Sequence, residues 1–107
     1  MKTTIKYTNL DPTPSLETFI DKKLAPFEKL LKHVDLDQQA ELHLELARTT
    51  RHHHKGLVFK ASAQLRVPKK VFRAEQVAAD IRTAFDLLKN TLRTAVERHK
   101  ERVAAKN

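Results

Sequence analysis

Residues 57–75 read LVFKASAQLRVPKKVFRAE, and this stretch decides the fold. Apolar and polar side chains alternate from residue 57 to residue 67, which is typical of a strand with one buried face. The proline in Val67-Pro68-Lys69-Lys70 presets the backbone of a tight turn. Alternation resumes over residues 71–75. The stretch therefore predicts two strands joined by a short hairpin.

Two shorter strands and a helix are predicted before this hairpin. Residues 3–8 and 41–46 alternate in the same way, so each predicts a strand. A helix should begin at Pro14, after the N-cap Thr13. Its interior Pro26 removes an N–H group and should kink the helix one turn earlier.

A second helix of about 25 residues is predicted to start near Ala78 and to end the chain. Both helices carry an apolar stripe at helical spacing. The stripe residues are Leu16, Phe19, Ile20, Leu24, Phe27, Leu30 and Leu31 in the first helix, and Ile81, Phe85, Leu88, Leu92, Val96 and Val103 in the second.

The predicted fold class is α+β. An alternating sheet needs one face covered, and two helices with one apolar stripe each can cover it. We therefore expect a two-layer sandwich of order β-α-β-β-β-α, with a four-stranded sheet and two helices packed on one face. The 107 residues should form one domain, 1–107, with a short frayed tail after about residue 103.

The net charge of +8 is concentrated in one segment. Residues 48–73 contain eight Lys and Arg, three His and no carboxylate, whereas the other thirteen Lys and Arg are matched by thirteen Asp and Glu. Charge this uneven attracts polyanions. It favours a nucleic acid or an anionic membrane surface as the partner over a face that is merely well solvated. No small-molecule substrate is expected.

Composition excludes several classes of protein. Without cysteine the chain has no disulfide framework, thiolate metal site or thiol nucleophile. No apolar run approaches the roughly 18 residues of a membrane span, and residues 1–4 lack the apolar stretch of a signal peptide. The single glycine, Gly56, excludes a glycine-rich phosphate loop. A soluble cytoplasmic protein without a membrane partner is expected.

Neither a metal site nor a catalytic pocket is predicted. The run His52-His53-His54 contains common metal ligands, but consecutive loop residues rarely converge on one ion, so a solvated basic loop is favoured. The other histidines are isolated, and most carboxylates fall on helix surfaces or exposed strand positions. Nothing pairs an acid with a base or a nucleophile. We expect no enzyme activity, no metal and no cofactor.

Basic side chains flank both apolar stripes. On a wheel of 100° per residue, one flank of the second helix carries, within about 40°, Arg82, Lys89, Arg93 and Lys100. The opposite flank carries Arg98 and Arg102. Asp86 and Glu97 are close enough in sequence to pair with cations of the first flank.

The first helix has a comparable basic flank, made by Lys22, Lys29 and Lys32. Lys23 falls inside the apolar stripe, so its ammonium should extend outward to water. Such flanks can be no more than solvated rims, and the spacing alone does not choose between the two interpretations.

Three stretches of sequence resemble the ribosome hibernation-promoting factor family, which includes the ribosome-associated inhibitors. The first runs from Thr13-Pro14-Ser15-Leu16 through Phe19-Ile20-Asp21-Lys22-Lys23-Leu24 to Phe27-Glu28-Lys29-Leu30, and looks like the first helix of the family. The second, Val67-Pro68 with Phe72-Arg73-Ala74-Glu75, looks like its turn and fourth strand. The third is similar to its last helix, and consists of Asp80, Ala84-Phe85-Asp86, Leu92 and Arg98-His99-Lys100.

The resemblance implies a protein that docks on the small ribosomal subunit, across the decoding region, and silences translation in resting cells. Contacts to the phosphates of ribosomal RNA would come from basic residues of the two helices. The residues that carry over are Lys22, Lys23, Lys29, Arg98, Lys100 and Arg102, and Arg82, Lys89 and Arg93 add charge on the other flank.

Two departures from the family pattern concern this surface. The family usually has basic residues where this chain has Thr91 and Thr94, and a glycine near Asn9. The chain also looks like a short form, because longer members add a second domain for ribosome pairing.

Two functions of other classes remain open from the residues. A double-stranded RNA-binding domain has the related order α-β-β-β-α, but it relies on a lysine pair at the start of its last helix, where this chain has Val77-Ala78-Ala79-Asp80. An adaptor could instead present its basic face to an acidic protein.

Overall fold

The computed structural model describes residues 1–34, 36–49 and 58–105. Its elements are β1 (Lys2–Thr8), α1 (Pro14–His33), β2 (Glu41–Arg48), β3 (Phe59–Val67), β4 (Lys70–Ala78) and α2 (Ile81–Ala105). The predicted order β-α-β-β-β-α and the α+β class are confirmed. Leu57 and the run His52-His53-His54 lie outside the described residues.

The four strands form one mixed sheet in the order β1-β2-β3-β4. β1 pairs with β2 in parallel, starting with Lys2 opposite Glu41, while β2, β3 and β4 are antiparallel. A parallel pair needs a crossover connection, which α1 supplies. The predicted hairpin is confirmed, because Val67 pairs with Lys70 across a two-residue turn.

One hydrophobic core lies between the sheet and the helices. The inward positions of β2 and β3 alternate as predicted, and both apolar stripes contribute to the same cluster. Among the stripe residues, Val103 was placed wrongly: it is 49% exposed, since α2 extends past the cover of the sheet. Ala84, which the stripe omitted, is fully buried.

The start of α1 is as predicted. The backbone N–H of Leu16 donates to Oγ1 of the N-cap Thr13 at 3.2 Å, and Pro14 occupies the first helical position. The helix continues through Pro26 to His33, and the kink stays a prediction.

The start of α2 was predicted too early. The alternation of β4 continues beyond residue 75, so that strand includes Ala78. The helix begins after Asp80, whose carboxylate accepts from the backbone N–H of Thr83 at 3.0 Å and from its hydroxyl at 2.7 Å. The first of these bonds satisfies a free N–H group of the first turn and makes Asp80 the N-cap.

Two residues other than glycine have left-handed backbones, Asn9 with φ 54° and Lys69 with φ 67°. Asparagine tolerates this region better than most residues, which accounts for Asn9 at a position where glycine is expected. Lysine has no such tolerance. No helix of the described residues is long and apolar enough to cross a membrane.

Candidate RNA-binding surface

The two helices run side by side and in parallel, and the contacts between them form what we call the inter-helix seam. Nη2 of Arg82 donates to Oγ of Ser15 at 2.6 Å. One turn further, the rings of Phe19 and Phe85 meet edge to face with centroids 6.1 Å apart. The third contact is an ion pair between Lys23 Nζ and Asp86 Oδ1 at 3.3 Å. The seam therefore consists of Ser15, Phe19, Lys23, Arg82, Phe85 and Asp86.

Two of the predicted RNA-binding cations belong to this seam. The side chain of Lys23 is 39% exposed, and its ammonium lies beside Asp86 and 5.5 Å from the centroid of Phe19. The guanidinium of Arg82 lies 5.0 Å from the same centroid. Both cations flank one aromatic ring, an arrangement that stabilises charge over the π face.

Asp86 pairs across the seam and not along its own helix. Its Oδ1 atom is buried, and Lys23 is the cation beside it, in ion-pair geometry without the alignment of a hydrogen bond. The predicted pairing of Asp86 or Glu97 with cations of α2 is therefore absent from the ion pairs of the described residues. Neither carboxylate therefore neutralises the cations of that flank of α2, and their charge can attract an anion.

The charges of α1 are sorted onto two sides. Glu17 and Asp21 face β1, where burial and then these two carboxylates raise the pKa of Tyr7 above its ordinary value. Lys22 and Lys29 are exposed on the side away from the sheet. The carboxylates on the β1 side would repel the phosphates of an RNA backbone. The side of α1 that bears the lysines is therefore the favourable one for RNA.

The flank of α2 that bears Arg82 faces α1, because Arg82 and Asp86 make the seam contacts. Lys89, Arg93 and Lys100 follow at helical spacing on the same flank. Lys89 is half-buried, and the other two are exposed. Together with the α1 lysines they form a surface that we call the basic ridge, made of Lys22, Lys29, Lys89, Arg93 and Lys100.

Arg98 and Arg102 lie on the opposite flank of α2. That flank faces β4, since Nε2 of Gln76 donates to Oγ1 of Thr91 at 3.0 Å and the ring of His99 lies 5.5 Å from that of Phe72. The structure thus divides the nine predicted residues into three groups: five on the basic ridge, two in the seam and two beside β4.

Three seam residues were not predicted as determinants of the site, namely Ser15, Phe19 and Asp86. Ser15, Phe19 and Lys23 recur at i, i+4 and i+8 along one edge of the apolar stripe. That spacing is the signal that a second helix packs there.

The described residues offer little for other chemistry. They contain no group of three or more His or carboxylate side chains that could hold a metal ion. The pKa of Asp80 is lowered chiefly by its hydrogen bonds from Thr83, which are those of a helix cap. The arrangement is suited to binding an extended anion by charge.

Comparison with known proteins gives a match over nearly the whole chain. Residues 3–104 match the family described as Sigma 54 modulation protein / S30EA ribosomal protein. The N-terminal domain of Thermus thermophilus Protein Y is similar, with 25% identity, a TM-score of 0.70, and coverage of 92% of this chain and 99% of that domain.

A ribosomal subunit interface protein from Coxiella burnetii has the same fold. It is 19% identical, with a TM-score of 0.69, and the match covers 94% of this chain and 99% of that one. No individually curated protein matches.

Proposed function

Since the chain belongs to the Sigma 54 modulation protein / S30EA ribosomal protein family, which is ribosome-associated, we propose that it docks on the small ribosomal subunit and inhibits translation in resting cells. The observation that carries this proposal is the basic ridge. Its cations lie on one side of the two-helix layer and form no ion pair among the described residues.

The ridge would bind the phosphates of ribosomal RNA. Arg93 and Lys100 are seven residues apart, or about 10 Å along the helix axis, and Lys22 and Lys29 repeat that spacing on α1. Two parallel rows of cations suit a phosphate backbone, whose contacts give affinity without reading sequence. Few aromatic side chains are exposed, so base stacking contributes little.

The decoding region is the proposed place of docking. The Coxiella relative is described as a subunit interface protein, and the inhibition expected of this chain requires it to occupy the place of transfer RNA and messenger RNA. Binding alone would suffice, so the proposed protein acts without catalysis, metal or cofactor. Its proposed location is the cytoplasm, where ribosomes translate.

Cosedimentation with ribosomes at increasing potassium chloride and fixed magnesium tests this proposal. The Lys22→Gln/Lys29→Gln variant should bind more weakly, and its salt slope should fall by about one unit for each lost contact. The matched control is Lys2→Gln/Lys6→Gln, which removes the same charge from exposed positions of β1.

Three outcomes would contradict the proposal. Equal losses in both variants would mean that net charge, and not the ridge, determines binding. A parent protein that binds any duplex RNA as tightly as ribosomes would favour the double-stranded RNA-binding alternative. Failure to bind either would favour an acidic protein partner.

A further inference from the structure

We infer that the β3–β4 hairpin and the last third of α2 form a second phosphate-binding surface, which contacts a different segment of RNA from the one on the basic ridge. We call it the hairpin surface, and it consists of Lys69, Lys70, Arg98 and Arg102. The inference rests on the proposed function, because it assigns a further RNA contact to the same protein.

Contacts between α2 and β4 place these residues together. Thr91 lies over Gln76 and His99 lies over Phe72, so the helix runs antiparallel to the strand. The eight residues from Thr91 to His99 advance about 12 Å, and the four from Gln76 to Phe72 advance about 13 Å. Continuing at this rate brings Arg102 level with Lys70, at the hairpin.

Lys70 projects toward the helix layer. It shares the inward positions of β4 with Phe72, and its Nζ atom lies 5.5 Å from the centroid of that ring. The ring of His99 meets the same Phe72 ring edge to face, with centroids 5.5 Å apart. An aromatic face therefore holds the ammonium of Lys70 close to the flank of α2 that bears Arg98 and Arg102.

Lys69 occupies a strained turn position. Pro68 and Lys69 are the two residues of the hairpin turn, and Lys69 has φ 67°, where glycine or asparagine would be free of strain. A lysine held in this region costs stability, and such outliers concentrate at functional sites. The hairpin tip presents a cation where a strain-free turn would present none.

The positive charge of the hairpin surface favours an anionic ligand. The hairpin belongs to the acid-free segment 48–73, and the described residues include no carboxylate that pairs with a cation of the hairpin surface. Lys69, Arg98 and Arg102 are exposed, and Lys70 is partly exposed. A phosphate backbone is the ligand that this surface complements.

The two surfaces face away from each other. Arg98 and Arg102 are roughly 140–180° around α2 from Arg93 and Lys100. A single straight backbone cannot reach both sides of a helix about 10 Å wide. Simultaneous contact therefore requires two RNA segments, with α2 lodged between them.

The chain has no cysteine. A single cysteine introduced at a chosen position is therefore a unique attachment site for an iron chelate. Ala25→Cys, between Lys22 and Lys29 on the exposed side of α1, probes the basic ridge. Thr94→Cys, at an exposed position one turn before Arg98 on the same flank of α2, probes the hairpin surface. Neither substitution removes a cation. Hydroxyl radicals generated from each probe on the ribosome should cleave two separate segments of ribosomal RNA.

A second experiment tests how much the hairpin lysines contribute to ribosome binding. Lys69→Gln/Lys70→Gln should reduce the salt slope of ribosome binding by about two units, while Lys2→Gln/Lys6→Gln leaves it unchanged. Cleavage from position 25 but not from 94, or an unchanged slope in the hairpin variant, would overturn the hairpin surface and leave the ridge standing. No cleavage from either position would instead overturn the proposed function.

Discussion

Lys22 and Lys23 are neighbours in sequence but belong to different regions of the molecule. The side chain of Lys22 is exposed on the basic ridge, whereas that of Lys23 is in the inter-helix seam beside Asp86 and Phe19. One residue advances a helix by 100°, which is enough to move a lysine from a surface to an interface. Position around the helix therefore determines whether a cation can bind RNA or holds two helices together.

The largest effect should come from removing the aromatic centre of the seam. Phe85→Ala should lower the free energy of unfolding by about 3–5 kcal/mol, since Phe85 is 1% exposed and packs on Phe19. Urea denaturation followed by circular dichroism measures it. Leu87→Ala is the control, because Leu87 is 43% exposed and should cost much less. Similar losses in both variants would mean that the seam is not a cohesive unit.

A smaller effect, on binding and not on stability, is expected at Lys22. Lys22→Gln should weaken ribosome binding by roughly tenfold near 0.1 M salt, because one phosphate contact contributes a salt slope of about 0.9. The melting temperature should stay unchanged, since the side chain is exposed. A stability loss without a binding loss would assign Lys22 to the fold and not to the basic ridge.

The cap at the start of α2 should give a pH-dependent effect on stability. Hydrogen bonds from Thr83 hold the pKa of Asp80 below its ordinary value of 3.8 in the folded state, so the carboxylate stabilises the fold above that value and loses its contribution as pH falls through the lowered pKa. Asp80→Ala should therefore melt at a lower temperature than the parent at pH 7. The two proteins should converge in acid.

Asp80→Asn is the matched variant for the cap, because asparagine caps a helix about as well as aspartate but does not titrate. It should keep most of the stability at pH 7 and lose the acid dependence that comes from this site. Thermal melts between pH 2 and 7 would test both. An alanine variant as stable as the parent at neutral pH would mean that the cap does not position Arg82 and Phe85 in the seam.

Local patterns were sufficient to predict most of the fold. Each of these patterns depends on residues close in sequence: the alternation in β3, the proline turn and the two apolar stripes. Each is found in the strand, turn or helix that it predicted. The boundary between β4 and α2 was missed, because the alternation continues through Gln76 to Ala78 and competes with the helical period. The Asp80 to Thr83 spacing carried the information that would have corrected it.

The site was less predictable than the fold. A helical wheel places Lys23 inside one apolar stripe and Arg82 on a flank of the other, but it does not say which side of either helix meets its neighbour. That choice depends on the sheet order and on the crossover of α1, which are long-range properties. The cross-helix partner of Asp86 was missed for the same reason, since pairs within one helix are the ones that sequence spacing reveals.

The smallest predicted effect is the coupling between Lys23 and Asp86, and it decides to which region Lys23 belongs. Both side chains are 39% exposed, so a double-mutant cycle with Lys23→Met and Asp86→Asn should give a coupling of only about 0.2–1 kcal/mol in the free energy of unfolding. Methionine keeps the apolar stem against Phe19, so Lys23→Met should leave ribosome affinity within about twofold of the parent if Lys23 makes no phosphate contact. A tenfold loss of affinity with no coupling to Asp86 would move Lys23 onto the basic ridge. The seam would then be held by Phe19, Phe85 and the bond from Arg82 to Ser15 alone.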